Sequence, residues 1–156
     1  MRRIQKKLSE ILIEEGLITT EQLKDALDEQ ARTKGFLGKI LLDRNQIKEP
    51  DLLNALSEQF NIPIINLKYR YIDWGLVRSF GASLVLDYKC FPLKKDGRSV
   101  TFAITNPLDA WALKKIEEET EARGLKIKLV LVSRNDIIEA IQRYRQYLNG
   151  DISKLF

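Results

Sequence analysis

The sequence predicts an α+β protein: a duplicated helical-hairpin N-terminal subdomain followed by a small three-stranded sheet domain covered by helices. Three observations carry this reading. The stretch from Leu8 to Gln30 is rewritten from Leu37 to Gln59, 29 positions further on (37 − 8). Both copies space their apolar residues at the three-to-four-residue interval of a helix. Beyond residue 60, β-branched runs alternate and are punctuated by Gly, Pro and Asn, as strands are.

The first helix carries Ile4, Leu8, Ile11 and Leu12, and Gly16 stands where a helix end needs a positive φ. Leu17 and Ile18 form a short link. Thr19 is an N-cap with Gln22 three residues on, the spacing of a capping box. The second helix places Leu23, Ala26, Leu27 and Gln30 on one side and stops at Gly35. In the second copy Leu37, Ile40 and Leu41 make the short helix, and Asn45 takes the place of Gly16 as the next best left-handed cap. Pro50 opens the following helix, where its missing N–H does no harm. Leu52, Leu53, Leu56 and Phe60 face inward. A helix pair this short cannot bury its stripe alone, so the copies are predicted to pack on each other. By itself, this pattern describes two stacked hairpins without a ligand.

Asn61 to Leu67, broken by Pro63, reads as an extended connector. Residues 73–80 and 82–89 read as short helices around Gly81. Phe91–Lys94 and Val100–Ile104 form a hairpin closed at Asp96-Gly97, with Pro92 near an edge. Residues 109–123 are a helix with Ala112, Leu113 and Ile116 inward and Gly124 as its stop. Lys126–Val132 is the third strand. Ser133 caps a last helix carrying Ile137, Ile138, Ile141, Tyr144 and Leu148. The expected boundaries are 1–60 for the duplicated helical subdomain, 61–148 for the α+β subdomain, and 149–156 for a linker or tail.

The composition, 44% hydrophobic and 31% charged, is that of a globular chain. No apolar run approaches the roughly 20 residues of a membrane span. The basic start MRRIQKKL lacks the apolar stretch of a secretory signal. A lone cysteine, Cys90, cannot form an internal disulfide, which fits a cytosolic setting. Residues 1–60 hold 10 Lys and Arg against 11 Asp and Glu, whereas residues 61–156 hold 16 against 11. The basic residues of the second half, Lys68, Arg70, Lys94, Lys95, Lys126 and Lys128 among them, are spread among acids. They make no dense stripe with stacking aromatics, so nucleic acid is not an expected partner. Tyr69, Tyr71 and Trp74 cluster after the connector, where they read either as an interface anchor or as core.

The chain has no histidine. That removes the commonest general base and metal ligand, and with one cysteine it excludes a zinc site and any Ser-His or Cys-His dyad. Gly35-Phe-Leu-Gly38-Lys39-Ile40 lacks the glycine spacing and the hydroxyl residue of a phosphate loop, and no strand precedes it. No catalytic residue, metal or cofactor is expected.

LSEILIEEGLITTEQLKDALDEQ resembles the opening of the N-terminal region of type II secretion and type IV pilus assembly ATPases. FPLKKDGRSVTFAITNPLDAWALKKIE and LVLVSRNDIIEAIQRY resemble its second part, where an Asn-Pro-Leu-Asp turn leads from a short sheet into a helix. The resemblance implies a non-catalytic docking and regulatory module in the cytoplasm, working with an ATPase core in cis or in trans. Its implied partner is the cytoplasmic part of an inner-membrane platform protein. Some family members bind cyclic di-GMP through the duplicated block, by an Arg-Leu-Gly start, leucines at helical spacing and a closing Gln. Carried over to this chain, that ligand site is Lys7, Leu8, Ser9, Leu12, Ile18, Leu23, Leu27 and Gln30 in the first copy. The second copy supplies Leu37, Gly38, Leu41, Ile47, Leu52, Leu56 and Gln59, with Phe36 at its first position. The leucines and glutamines match. Lys7 keeps a charge without the guanidinium fork, Ser9 replaces a glycine and Phe36 replaces an arginine, with Lys34 near. Each lost charge-assisted contact costs about 1.5–3 kcal/mol. Docking is therefore the first functional expectation and cyclic di-GMP sensing the alternative.

Overall fold

The computed structural model describes residues 6–68 and 70–153, with side chains described as far as Gly150. Ile4 and Tyr69, both named in the sequence reading, lie outside the described residues. The chain forms two compact units, Met1–Ile62 and Pro63–Phe156, dividing two residues beyond the expected boundary.

Unit 1 contains α1 (Leu8–Glu14), α2 (Thr20–Thr33), α3 (Leu37–Asp43) and α4 (Glu49–Phe60). The duplication extends to individual backbone bonds. At the end of α1 the Gly16 N–H donates to the Ile13 carbonyl and the Leu17 N–H to the Leu12 carbonyl, both at 3.0 Å. At the end of α3 Asn45 donates to Leu42 at 2.9 Å and Gln46 to Leu41 at 3.0 Å. Both are Schellman closures, and the residue that must turn left-handed is Gly16 (φ 70) in one and Asn45 (φ 56) in the other. Thr19 caps α2 with the expected reciprocal pair: Gln22 N–H to Thr19 Oγ1 at 3.1 Å and Thr19 N–H to Gln22 Oε1 at 2.9 Å. Lys48 begins α4 with half of that device. Its N–H donates to Asp51 Oδ2 at 3.3 Å, and an ammonium side chain has no lone pair to return.

The copies interlock. α2 packs on α3 and α1 on α4, so each long helix covers the short helix of the other copy. Leu8, Ile11, Leu12, Leu37, Ile40, Leu41, Leu52, Ala55 and Leu56 are buried between them. Arg44 Nη2 reaches Glu29 Oε1 at 3.2 Å and ties the end of α3 to α2. Two expectations shift. The left-handed end of α2 falls on Lys34 (φ 59) rather than Gly35, whose carbonyl instead accepts the Gln30 side-chain amide at 3.0 Å. Leu27, expected on the same side as Ala26, is 42% exposed because Ala26 takes the covered face of α2.

Unit 2 runs α5 (Trp74–Ser79), α6 (Ala82–Leu86), β1 (Phe91–Asp96), β2 (Ser99–Ile104), α7 (Ala110–Glu121), β3 (Lys126–Leu131) and α8 (Arg134–Ser153). β1 pairs antiparallel with β2, and β2 pairs parallel with β3 through the α7 crossover. Gly97, at φ 60, opens the two-residue loop between β1 and β2. The register slips between Pro92 and Lys94, on an edge strand where a residue without N–H is tolerated. One face of the sheet, with Phe91, Ala103, Val130 and Val132, joins Leu67, Val77, Ile137, Ile141 and Tyr144 in a core. On the other face Phe102 meets the edge of Phe80, ring centroids 5.3 Å apart. The connector joins the sheet at a parallel bridge, Ile64 beside Leu131. Asp136 Oδ2, in the first turn of α8, accepts the Leu67 N–H at 2.9 Å, while the Asp136 N–H donates to Ser133 Oγ at 3.1 Å.

α8 differs from expectation in two ways. It continues through Asn149 and Gly150 to Ser153, so the linker expected from 149 is helix as far as it is described. Ile138 is 48% exposed, because its neighbour Ile137 occupies the core side and adjacent helical residues point about 100° apart.

Candidate functional site

In unit 1 the residues carried over from the cyclic di-GMP motif separate by depth. Leu8, Leu12, Ile18, Leu37, Gly38, Leu41, Ile47, Leu52 and Leu56 are buried. Their immediate task is to hold the four helices together. Ser9, Leu23, Gln30 and Gln59 are half-buried, and Lys7 and Leu27 are exposed. The accessible part of the motif is therefore its rim.

The first position of the second copy has an occupant. A Cβ added to Gly38 would stand 2.7 Å from Leu52 Cδ1 and 2.8 Å from Phe36 Cε1. Gly38 is small because Leu52 lies on one side of it and the Phe36 ring on the other. A ring thus sits where the family pattern has a cation. Lys7, before α1, keeps the cation in the first copy.

Near the end of α1 several charged side chains interact. Slight desolvation, a hydrogen bond with Glu58 and the charges of Glu58, Asp51 and Glu14 push the exposed Glu15 carboxyl above the ordinary carboxylate value. Lys6 pairs with Glu14 at 2.6 Å, and that hydrogen bond with its attraction raises the Lys6 pKa.

In unit 2 the aromatic cluster resolves into two environments. Trp74 stacks on Tyr147 with centroids 4.8 Å apart and planes 7° apart, and it meets the edge of Phe91 at 6.3 Å. It is a packing residue. Tyr71, by contrast, is 85% exposed. The sequence reading missed Trp111, in the first turn of α7, which is 74% exposed with Leu108 close by in sequence and Lys114 Nζ 5.9 Å from its ring centroid. Trp111, Lys114, Lys115 and Tyr88 line one shallow depression. The signal was present in the sequence: Ala112, Ile116 and Thr120 mark the covered stripe of α7, and Trp111 is out of phase with it. Cys90 is buried, and burial followed by the Asp109 charge pushes its thiol up to about 12. Among the described residues no group of three His, Cys, Asp or Glu side chains is placed to hold a metal. No described helix is long and apolar enough to cross a membrane.

Known proteins resemble this chain over both units. The type IV pilus assembly ATPase PilB of Myxococcus xanthus is 30% identical over 138 residues, 88% of this chain and 24% of the relative. PilB of Thermus thermophilus is 26% identical over 141 residues, 89% of this chain and 16% of the relative. The Bacteriophage adsorption protein B of Escherichia coli K12 is 28% identical over 143 residues, 91% of this chain and 18% of the relative. The chain thus spans a quarter or less of the length of these curated relatives. Among solved structures, that of MshE with cyclic di-GMP superposes with a TM-score of 0.80 at 24% identity, covering 89% of this chain and 99% of that one. The N-terminal domain of XpsE superposes with a TM-score of 0.69 at 17% identity, covering 92% and 97%. The MshEN domain pattern matches residues 60–150. A helical block written twice, a β-β-α-β sheet unit behind it, and these likenesses across both lead to one assignment: the chain belongs to the MshEN domain family, with kinship to part of the type IV pilus assembly ATPase PilB.

Proposed function

We propose that this chain is the non-catalytic docking and regulatory module of a type IV pilus or type II secretion assembly ATPase. In this reading it acts in the cytoplasm, with an ATPase core in cis or in trans, and engages the cytoplasmic part of an inner-membrane platform protein. The observation that carries the reading is the continuous similarity to PilB across both units, coupled with the solvent-facing Trp111 on α7. An exposed tryptophan flanked by Leu108 and Lys114 has the make-up of a binding hot spot, with a large apolar surface and a cation at its rim. Calorimetry with the cytoplasmic domain of the cognate platform protein tests it. Micromolar binding is expected, weakened about tenfold or more by Trp111→Ala. Absence of binding at tens of micromolar would remove the proposal.

A second reading, cyclic di-GMP binding by unit 1, is supported by the bond-for-bond repetition of the two Schellman turns. A two-fold ligand fits a two-fold protein frame, one half per copy. Lys7, Ser9, Leu23, Leu27, Gln30 and Gln59 are the rim residues that would meet it, over the buried leucines. With Phe36 at the first position of the second copy, binding is expected to be weak. Phe36→Arg together with Ser9→Gly should tighten it by about tenfold or more, since a charge-assisted contact contributes about 1.5–3 kcal/mol. Titration calorimetry showing no heat from either protein would exclude the site.

A further inference from the structure

Among the described residues, the outer edge of β3 is hydrogen-bonded at Leu131, near its C-terminal end. The Leu131 N–H donates to the Pro63 carbonyl at 2.8 Å, and the Leu131 carbonyl accepts the Ile65 N–H at 2.9 Å. The N–H groups of Lys126 and Val132 point the other way, into the sheet, toward the carbonyls of Arg98 (2.6 Å) and Ile104 (3.0 Å). Strand residues alternate. Ile127 and Leu129 therefore aim their N–H and C=O groups outward, as Leu131 does. Among the described residues no strand lies beside them.

The side chains along this edge are sorted by face. A groove of ≈ 320 Å³ runs between α7 and the edge, with Thr120, Leu125 and Ile127 along it and Glu117 and Glu121 also lining it. Ile127 is 36% exposed there. On the opposite face Lys126 and Lys128 are exposed.

We propose that this edge accepts an extended segment of a partner protein as an added strand, one that alternates apolar with acidic residues. Its backbone takes up the outward groups of Ile127 and Leu129. Its apolar side chains enter the groove over Leu125 and Ile127, and its acids fall beside Lys126 and Lys128 as opposite-charge cross-strand pairs. Glu117 and Glu121 repel acids from the groove side, which fixes the face of the segment that carries them. A second copy of this chain is the poorer occupant. Antiparallel pairing of two such edges centred on Lys128 sets Lys128 against Lys128, the charge device by which edge strands avoid self-association. The proposal goes beyond the docking reading and uses none of the residues around Trp111.

The test uses the full chain and two capped heptapeptides, one alternating Val and Glu, the other Val and Lys. The Val–Glu peptide is expected to shift the Ile127 and Leu129 amide resonances and slow their hydrogen exchange about tenfold at saturation. Leu129→Pro removes an outward N–H and leaves the β2–β3 ladder intact, so it should weaken binding about tenfold or more. Should that variant fail to fold, the double variant Lys126→Glu, Lys128→Glu decides, because it is expected to prefer the Val–Lys peptide. Three results would overturn the proposal: unshifted Ile127 and Leu129 at millimolar peptide, equal binding of both peptides, or a concentration-dependent dimer that protects Ile127 without peptide. Loss of platform-protein binding in Trp111→Ala bears on the docking reading alone.

Discussion

Gly38 and Gly16 show how one residue type can be required for two different reasons. At Gly38 the obstacle is space, because a Cβ would press on Leu52 and on the Phe36 ring. Leu52 is held in the core, so Gly38→Ala is expected to cost about 1–3 kcal/mol in urea unfolding, as overpacking does. Gly16 has open space around its Cα but a φ of 70, so Gly16→Ala should cost about 1 kcal/mol through backbone strain alone. Replacing Phe36 by Ala should relieve part of the Gly38→Ala penalty and none of the Gly16→Ala penalty. Glu15 is a different kind of residue. Its carboxyl is raised above the ordinary value by slight desolvation and by Glu58, so the stability it allows is full below the usual carboxylate pKa and is lost as pH rises through the raised one. Glu15→Gln should therefore stabilise the protein at pH 7 and lose that advantage in acid. Because the side chain is exposed and screened, the gain should stay below about 0.5 kcal/mol. Cys90 follows the same sign at the alkaline end. Its thiol rises from 9.0 to about 12, so its contribution is intact below pH 9.0 and lost as pH climbs toward 12. At pH 8 a disulfide-exchange reagent should label Cys90 only after denaturant is added, and rapid labelling of the native chain would contradict its burial.

At the scale of the element, the two long helices of unit 1 offer a comparison inside one molecule. α2 begins with a complete capping box and α4 with half of one. Thr19→Ala should cost about 1 kcal/mol, and Lys48→Thr should restore up to a similar amount at the start of α4. Both are measurable as shifts in the thermal midpoint. These caps were legible in the sequence because each depends on residues three positions apart. Helix ends governed by distant packing were less so. Asn149-Gly150 reads as a stop, yet α8 passes through it. A glycine inside a helix costs only about 1 kcal/mol, which neighbouring turns can outweigh. Trp74 was ambiguous for a similar reason. Its surroundings include Tyr147, whose place beside it is fixed by the docking of α8 and not by local spacing.

For the molecule as a whole, the order of its parts was visible early, since duplication and the change of period both survive in a single sequence. The candidate ligand site was only half visible. Motif positions mark equivalent residues in the two copies, but periodicity does not distinguish a leucine that holds helices together from one that reaches a ligand. Burial makes that separation: Leu12, Leu41 and Leu56 are wholly enclosed, whereas Leu27 is open. The Phe36 ring against Gly38 and the outward backbone of Ile127 and Leu129 needed coordinates, because each depends on residues brought together by the fold. The seam between the connector and β3 has a further consequence for synthesis. Unit 1 holds all of its own chain once residue 62 has been made. Pro63 and Ile65, at the start of unit 2, share Leu131 as their backbone hydrogen-bonding partner. On a ribosome, the front of the chain can close early while the second unit stays unfinished until β3 and the α8 residues of its core emerge, so a nascent chain stalled before them would carry a folded first unit and an incomplete second one.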